Sequence, residues 1–227
     1  MEGRTIKPGE CPTLERCPAV TQGNFTVRLL MPGCVEMEMC WRLRHRIFVQ
    51  QRGWVPEDPG CPGLERDCYD AFSCHLAVFK DDQLVAYLRA LPWRPGCGFM
   101  LEQEFLPLLL PEAQRCFVQD NAVELTRLVV APAPSLALRE VPLVSELLFK
   151  LFYQLAQRQG WEHIYIVVEQ GWLPLFARRF GFQFEPQGRP HTFPDGTRTV
   201  AAHARLSDFE ASLALHRPDK LAWYRKP

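Results

Sequence analysis

The sequence of 227 residues lacks an excess of charge of either sign, because 26 lysines and arginines balance 26 aspartates and glutamates. Proteins that bind nucleic acid normally carry a basic excess, so this balance argues against that class. No apolar run approaches the roughly 20 residues needed to span a bilayer. The first residues, MEGRTIKPGECP, contain no apolar core of the kind that marks a secretory signal. The composition therefore predicts a soluble, cytoplasmic protein.

The sequence also lacks the short motifs of several common catalytic sites. It contains no G-x-S-x-G, P-loop, G-x-G-x-x-G or H-E-x-x-H pattern. Its nine cysteines include no C-x-x-C pair, and no Cys/His spacing suggests a zinc site, so no metal site is predicted. An odd number of scattered cysteines is typical of free thiols in a reducing compartment. These absences leave triad hydrolases, nucleotide-binding loops and zinc enzymes without support.

The hydrophobic content, 47% of all residues, is sufficient for one sizeable core and one domain. Residues 1–23 are rich in Pro, Gly, Thr and charge and predict a loose N-terminal arm, so the folded domain is expected over residues 24–227. The element order is β, α, irregular loop, β-hairpin, β, α, β, α, β. This order predicts an α/β fold with a mixed, mainly antiparallel sheet.

Residue periodicity indicates where the elements lie. Alternating or β-rich runs predict strands at FTVRLL (25–30), CHLAVF (74–79), LVAYLRAL (84–91), AVELTRLVV (122–130), HIYIVV (163–168) and TVAAHARL (199–206). Apolar residues four apart predict helices over 34–51 and 142–159, closed by Gly53 and Gly160. Shorter helices are predicted in MLEQEFLPLLL (100–110), WLPLFARRFGF (172–182) and DFEASLALH (208–216).

Charged residues within predicted strands are the first indication of a functional site. Arg89 lies in LVAYLRALP, and Glu124 and Arg127 lie in AVELTRLVV. Burying even a neutral polar group without a partner costs about 2–7 kcal/mol, so these charges need partners or a function. Residues three apart in a regular strand point to opposite faces, so Glu124 and Arg127 share one site only if a bulge separates them. A purely structural ion-pair network of Arg89, Glu124 and Arg127 is an equally good explanation at this point.

A second group of residues surrounds the first predicted helix. Arg44 and Phe48, four apart, share a helix face, Trp54 follows the helix end, and the run ERDCYD contains Asp67 and Asp70. Singly, each has an ordinary explanation as core, solvated helix charge or solvated loop acid. Together they provide aromatic faces for a cation, carboxylates for an amine and an arginine for a carboxylate. They therefore predict the rim of a pocket.

These residues together resemble the acyl-homoserine lactone synthases, the bacterial autoinducer synthases of quorum sensing. That family carries an Arg-x-x-x-Phe helix, a Trp, an Asp-x-x-Asp segment, a strand arginine and a Glu-x-x-Arg strand. The corresponding residues here, in the same order, are Arg44, Phe48, Trp54, Asp67, Asp70, Arg89, Glu124 and Arg127. The resemblance extends over about residues 25–206 and is strongest over 42–130. No single one of these motifs is specific to the family, but the complete set in this order is.

The resemblance implies a GNAT-type acyltransferase fold, in which two splayed central strands flanked by helices hold an acyl thioester arm. Those strands would be AVELTRLVV and HIYIVV. It implies transfer of an acyl chain from an acyl-carrier-protein or CoA thioester to the amine of S-adenosylmethionine, followed by lactone closure. S-adenosylmethionine and the acyl thioester are then substrates, and no tightly bound cofactor is expected. The run APAPSLALREVP lacks the glycine-rich pyrophosphate loop of many GNAT proteins.

The resemblance also implies a role for each site residue. Glu124 is the candidate base, and Arg127 together with Arg44 holds a carboxylate or aspartate partners. Phe48, Trp54, Asp67, Asp70 and Arg89 complete the S-adenosylmethionine side. Glu65 and Arg66 are expected at the surface.

The acyl pocket and the donor surface are predicted from other residues. Leu147, Leu148, Leu151 and Phe152, on the second long helix, are expected to include walls of an acyl pocket. Arg178, Arg179 and Lys150 are candidates for a basic patch that docks an acidic carrier protein. Two other functions stay open: an N-acyl amino acid synthase of the same fold, which uses a different amine, and a non-catalytic GNAT-like binding module.

Overall fold

The computed structural model describes residues 18–226, apart from positions 32, 116, 133 and 194. The strands of the described chain are β1 (Val20–Gln22), β2 (Phe25–Leu30), β3 (Cys74–Lys80), β4 (Gln83–Pro92), β5 (Ala122–Val130), β6 (His163–Glu169), β7 (Glu185–Pro186), β8 (His191–Thr192) and β9 (Arg198–Arg205). The helices are α1 (Glu36–Arg44), α2 (Met100–Gln103), α3 (Pro111–Arg115), α4 (Val141–Gln159), α5 (Leu173–Leu175), α6 (Leu206–His216) and α7 (Pro218–Arg225). None of these helices is both long enough and apolar enough to cross a membrane.

The strands form one sheet in the order β1-β2-β3-β4-β5-β6-β9-β7, with β8 paired to β9. β5 and β6 run parallel, and the other paired strands are antiparallel. The predicted α/β fold with a mixed, mainly antiparallel sheet is therefore confirmed. The long helix α4 forms the parallel crossover between β5 and β6, and its buried side packs on the sheet.

Most predicted elements occur where their periodicity placed them. Phe25–Leu30 and Ala122–Val130 are strands with the predicted bounds. The hairpin of β3 and β4 turns at Asp81 and Asp82, whose φ angles of 46° and 66° match a type I′ turn. Helix α4 ends at Gly160, which adopts a φ of 69° that glycine accommodates without strain.

The first long helix has a change of pitch within it. After α1, His45–Gln51 continues as a wider, π-helical turn, and the amide of Trp54 donates to the carbonyl of Phe48 at 2.9 Å. Gly53, at a φ of 63°, then turns the chain away, as predicted. Such wider turns are common at functional sites, and here the turn carries Phe48 and directs Trp54 back over it.

Three parts of the chain differ from the sequence prediction. The helix predicted over residues 100–110 ends at Gln103, and Leu106–Leu108 forms one separate 3₁₀ turn, because Pro107 has no amide hydrogen to continue the helix. The charged C-terminal tail contains α7, which buries Tyr224 against α4 and α6. Val20–Gln22, within the predicted arm, pairs with β2, whereas residues 1–17 lie outside the described residues.

The two central strands separate partway along their length. Parallel pairing of β5 with β6 runs from Ala122 and His163 only to Leu125 and Ile166. Beyond that point both strands continue, β5 to Val130 and β6 to Glu169, without pairing to each other. The residues along the divergence are partly exposed. The predicted splayed pair is therefore present, and the gap between the unpaired ends of the two strands is here called the β5/β6 cleft.

A bulge in β5 lies where the strands diverge. Tyr87 of β4 pairs with Val129 and Arg89 with Thr126, so two residues of β5 lie opposite one residue of β4. Arg127, at a φ of 56°, occupies the left-handed conformation in this bulge. A non-glycine residue in that conformation costs about 1–3 kcal/mol and is typical of functional sites. The bulge that a shared site for Glu124 and Arg127 requires is thus observed.

Candidate active site

Arg44 is a fully buried charge of the site, with none of its side chain exposed. It lies in the last turn of α1 and points at the loop that follows Trp54. Its Nε donates to Glu65, its Nη1 donates to Asp70 Oδ1 at 2.7 Å, and its Nη2 lies 3.7 Å from Asp67 Oδ2. The guanidinium also lies 5.7 Å from the ring centre of Tyr87. Arg44 therefore organises the acid-rich loop.

Arg89 approaches the same acids from the sheet. Its side chain, on β4, is fully buried and donates through Nη1 to Asp67 and, at 2.7 Å, to Asp70 Oδ1. Its Nε donates to the Thr126 hydroxyl at 2.8 Å, next to the bulge, and its Nη2 to Met100 Sδ at 2.8 Å. Arg89 thus links the acid loop to β5 and α2.

Arg127 completes the cluster from the bulged strand. Its Nη2 lies 3.0 Å from Glu65 Oε1 and 3.1 Å from Asp67 Oδ2. Its guanidinium carbon lies 5.5 Å from the centre of the Phe48 ring. With 16% of its side chain exposed, Arg127 is the most accessible of the three arginines, and Asp67, at 19%, is the most accessible acid. These two residues form the solvent side of the cluster.

The placement of Glu65 corrects the sequence analysis. The prediction that Glu65 lies at the surface is wrong: only 4% of the residue is exposed, and it bridges Arg44 and Arg127. Its position is fixed by its own amide, which donates to the carbonyl of Trp41 at 3.1 Å. Arg66, predicted at the surface together with it, is exposed. Nothing in the local pattern distinguishes the two, because burial here depends on α1 and β5.

Two acids of the cluster, Asp70 and Glu65, have lowered pKa values and are held as carboxylates. Burial alone would disfavour the charged form of Asp70, but the charges of Arg44 and Arg89 outweigh it and hold the pKa of Asp70 at about 2. Burial likewise opposes ionisation of Glu65, and the hydrogen bond and charge of Arg44, with those of Arg127, lower its pKa. The acids of the run ERDCYD therefore pair with arginines.

Residues outside the predicted set support the cluster from behind. Trp41 Nε1 donates to Asp70 Oδ2 at 3.1 Å. The ring of His75 lies between the Asp70 carbonyl oxygen, 2.9 Å from Nε2, and the Tyr87 hydroxyl, 2.7 Å from Nδ1. Burial lowers the pKa of His75 to about 4, so the ring is neutral. The sequence offered no signal for His75 and Tyr87, since both lie at ordinary positions of a strand pair.

Glu124 lies apart from the ion pairs. It is 1% exposed, its Oε1 accepts from the Leu101 amide at 3.2 Å, and its Oε2 has no partner among the described residues. Burial raises its pKa to about 8, against the opposing hydrogen bond from Leu101 and the charge of Arg89. Arg89 and Arg127 pair with the loop acids instead, so the alternative network that includes Glu124 as their partner is not observed. An isolated carboxyl with such a pKa is suited to proton transfer.

The aromatic side of the site is formed by Phe48 and Trp54. Their rings stack with centres 6.1 Å apart and an interplanar angle of 24°. Phe48 is buried beneath Arg127. Trp54 is half-buried, and its Nε1 donates to Asp195 Oδ2 at 2.6 Å. The structure therefore brings together all the residues predicted for the S-adenosylmethionine side.

The predicted acyl-pocket residues are all interior. Leu147, Leu148, Leu151 and Phe152 are 0% exposed and belong to the main core. The ring of Phe152 lies 6.1 Å from that of Phe182.

The three candidate docking residues differ in exposure. Arg178 is exposed, and Arg179 is half-buried beside Glu146, 3.7 Å away. Lys150 is buried, with Nζ 4.9 Å from the centre of the Trp223 ring. The prediction that Lys150 belongs to an exposed basic patch is therefore wrong, because α7 covers this turn of α4.

Residues 43–134 match the family described as acetyltransferase (GNAT) domain. The matched segment contains α1 from Leu43, the acid loop, β4 and all of β5, so it includes every charged residue of the cluster.

Solved structures that resemble the chain include two acyl-homoserine lactone synthases and an N-acyl amino acid synthase. BjaI, described as a CoA-dependent acyl-homoserine lactone synthase with SAM and isopentyl-CoA, is 25% identical with a TM-score of 0.60, over 83% of this chain and 90% of BjaI. The AHL synthase LasI is 18% identical with a TM-score of 0.64, over 80% of this chain and 90% of LasI. FeeM, an N-acyl amino acid synthase from uncultured soil microbes, is 10% identical with a TM-score of 0.60, over 83% of this chain and 94% of FeeM.

These similarities agree with the splayed strands, the bulge and the residues gathered beside them. The predicted GNAT-type fold is confirmed, and so is the likeness to the acyl-homoserine lactone synthases. This chain is a GNAT-fold protein that resembles the acyl-homoserine lactone synthases.

Proposed function

We propose that this protein is an acyltransferase that makes an N-acyl-homoserine lactone from an acyl thioester and S-adenosylmethionine. One observation carries the proposal: the residues that resemble the synthase motif converge beside the splayed end of β5, although they come from α1, a loop and two strands. The alternative of a purely structural cluster leaves Glu124 unexplained, because it is buried with one oxygen unpartnered.

The amine substrate is expected on the solvent side of the cluster. Arg127 and Asp67 are its accessible charges, and they suit the carboxylate and the ammonium of an amino acid. Arg44, Arg89 and Asp70 are buried behind them and hold them in place. The faces of Phe48 and Trp54 suit a sulfonium or an adenine, and such a cation–π contact contributes about 0.5–2 kcal/mol.

Glu124 is the proposed general base. An α-amine has a pKa of about 8 and must lose a proton before it attacks. The pKa of Glu124, raised by burial to about 8, is closely matched to it, so proton transfer, directly or through water, has little energetic cost. We expect the acyl-transfer rate to rise with pH until both groups are deprotonated.

The proposed reaction has two steps. The amine nitrogen forms a bond to the acyl carbon, the carbon–sulfur bond of the thioester breaks, and the thiol leaves. A carboxylate oxygen of the acylated S-adenosylmethionine then displaces methylthioadenosine from the γ-carbon, which closes the lactone. Backbone amides of β5 beyond Leu125, which are not paired with β6, are the proposed donors to the oxyanion of the first step.

The test of the reaction is an incubation of the purified protein with S-adenosylmethionine and a panel of acyl thioesters. We expect an acyl-homoserine lactone and methylthioadenosine in equal amounts, measured by mass spectrometry. Acylation of free amino acids without methylthioadenosine would instead support an N-acyl amino acid synthase, the second candidate, which the fold likeness to FeeM favours. Binding of thioester without any product would support the non-catalytic binding module.

The acyl donor is proposed to be a carrier-protein or CoA thioester, and Arg178 distinguishes the two. Arg178 is exposed on the π-helical turn after α5. Because carrier proteins are acidic, Arg178→Glu is expected to raise KM for a carrier-protein donor about 3–10-fold and leave KM for the CoA thioester unchanged. Arg42→Glu, on α1 with 63% of its side chain exposed, is the control. Equal effects on both donors would contradict docking at Arg178.

The acyl chain is proposed to lie against α4, where Leu147, Leu148, Leu151 and Phe152 are candidate walls. Each buried methylene contributes about 0.8 kcal/mol, so burying two more carbons of the acyl chain is worth roughly 15-fold in selectivity. Phe152→Ala, which removes the phenyl ring, is expected to shift chain-length preference toward longer donors by about that factor. The measurement is kcat/KM across donors of increasing length.

The matched control for this variant is Phe209→Ala. Phe209 is also buried, at 1% exposed, and its ring stacks on Phe182 with centres 4.1 Å apart. Both variants remove a core phenyl ring and are expected to lose stability. Only Phe152→Ala should change the length profile; a uniform fall at every length would give Phe152 a role in the fold alone.

We also propose that the protein works in the cytoplasm. The odd number of scattered cysteines, nine in the sequence, is typical of a reducing compartment.

A further inference from the structure

Trp54 is held from the far side of the β5/β6 cleft. On the near side, Arg127 of β5 lies over Phe48, and Phe48 stacks on Trp54. On the far side, Trp54 Nε1 donates at 2.6 Å to Asp195, in the turn between β8 and β9. The side chains therefore form a continuous bridge from β5 to the strands beyond β6, where the backbone pairing of β5 and β6 has ended.

Asp195 is a preorganised acceptor. Its Oδ1 accepts from the Thr197 amide at 2.9 Å, and its Oδ2 accepts from the Thr197 hydroxyl at 2.8 Å. The turn is closed by the Gly196 amide, which donates to the Phe193 carbonyl at 2.9 Å. These contacts fix the carboxylate independently of Trp54, and the hydrogen bond from Trp54 is the largest of the effects that lower the pKa of Asp195.

A second contact holds the face of the same indole. Arg52 lies with its guanidinium carbon 5.0 Å from the centre of the Trp54 ring. Its Nη2 is 3.2 Å from Glu169 Oε1, at the last residue of β6. The indole is thus held at its edge by Asp195 and on one face by Arg52, and both contacts lead to the C-terminal half of the sheet.

We propose that Asp195 and Glu169 are positioning residues for Trp54, which set the angle of its ring toward the amine substrate. The proposal rests on the proposed function. Asp195 lies 141 positions from Trp54 in the chain and touches none of the charged cluster. It acts through the indole alone, so its loss should weaken binding of S-adenosylmethionine more than it slows the chemical steps.

The contact itself can be tested without any activity. The chain has six tryptophans, whose indole N–H groups give separate signals in a ¹H–¹⁵N spectrum, and Trp54→Phe identifies the signal of Trp54. Asp195→Ala is expected to move this signal upfield and to speed its exchange with solvent, with the other indole signals unchanged. Asp120→Ala, an exposed loop residue, is the control, and Asp195→Asn, which keeps an acceptor oxygen, should retain most of the wild-type shift.

Kinetics then test the role. Loss of one hydrogen bond is expected to raise KM for S-adenosylmethionine about 5-fold in Asp195→Ala, with kcat and KM for the thioester changed less than about 2-fold. Glu169→Gln should act in the same direction. In a Trp54→Phe background, which lacks the indole N–H, Asp195→Ala should have no further effect.

The outcomes are distinct. An unmoved indole signal in Asp195→Ala overturns the proposal whether or not the protein is active. A moved signal with an unchanged KM for S-adenosylmethionine also overturns it, because the contact would then be structural only. A wild-type protein that does not use S-adenosylmethionine overturns the proposed function and the positioning role together, while the spectrum still decides the contact.

Discussion

Glu124→Gln is expected to lower kcat by about 10²- to 10⁴-fold while leaving the melting temperature unchanged or higher. The carboxyl is buried, one of its oxygens has no partner among the described residues, and its pKa is raised to about 8. Glutamine keeps the size and can still accept from the Leu101 amide, so the fold has little to lose. The measurement is steady-state turnover together with thermal unfolding.

The same variant is also expected to change how the free energy of unfolding depends on pH. Because burial raises the pKa of Glu124 from 4.5 to about 8, the folded protein keeps a proton that the unfolded chain has released. The unfolded state then binds fewer protons, so the free energy of unfolding falls as pH rises from 4.5 to about 8. Glu124→Gln removes this titration, and a difference of one pKa unit corresponds to about 1.4 kcal/mol. The free energy of unfolding of the variant should therefore exceed that of the wild type by an amount that grows with pH to a few kcal/mol.

Glu112→Gln is the matched control, since 73% of its side chain is exposed. It should change neither turnover nor the pH dependence. Glu124→Gln could instead unfold several degrees below the wild type at pH 7 and keep its turnover. That outcome would show that Glu124 has a structural role and is not the base.

Arg44→Met is expected to cost about 3–5 kcal/mol of unfolding free energy and to abolish activity. It leaves Glu65 and Asp70, both nearly fully buried, without their shared guanidinium. The pair of carboxylates would then repel each other in a region of low dielectric. Chemical denaturation measures the loss.

Two other arginine variants are the comparisons for the stability loss of Arg44→Met. Arg42→Met, two residues away on the same helix with 63% of its side chain exposed, should cost less than about 1 kcal/mol. Arg127→Met should cost less than Arg44→Met, since its side chain is partly exposed, and still abolish turnover. Equal stability of Arg44→Met and Arg42→Met would show that the buried cluster contributes nothing to folding.

The positions of most elements followed from local sequence. Strand β5 has the predicted bounds, and helix α4 begins at Val141, one residue before the predicted start, and ends where predicted. They agree this well because β-rich runs, four-residue apolar spacing and the flanking Pro and Gly are local properties of the chain. The same holds for the hairpin turn at residues 81–82. The helix that begins at Met100 is short for a local reason as well, because Pro107 has no amide hydrogen with which to continue it.

The sequence by itself determined which residue types the site contains and in what order, because the motif positions are single residues that can be read along the chain. Only the tertiary structure decided how they pair. Glu65 is buried because α1 and β5 enclose it, and Arg127 reaches the acids because the strand bulges where β5 leaves β6. Burial, pairing and pKa depend on contacts between residues distant in sequence, as between Trp54 and Asp195, and no local periodicity encodes such contacts.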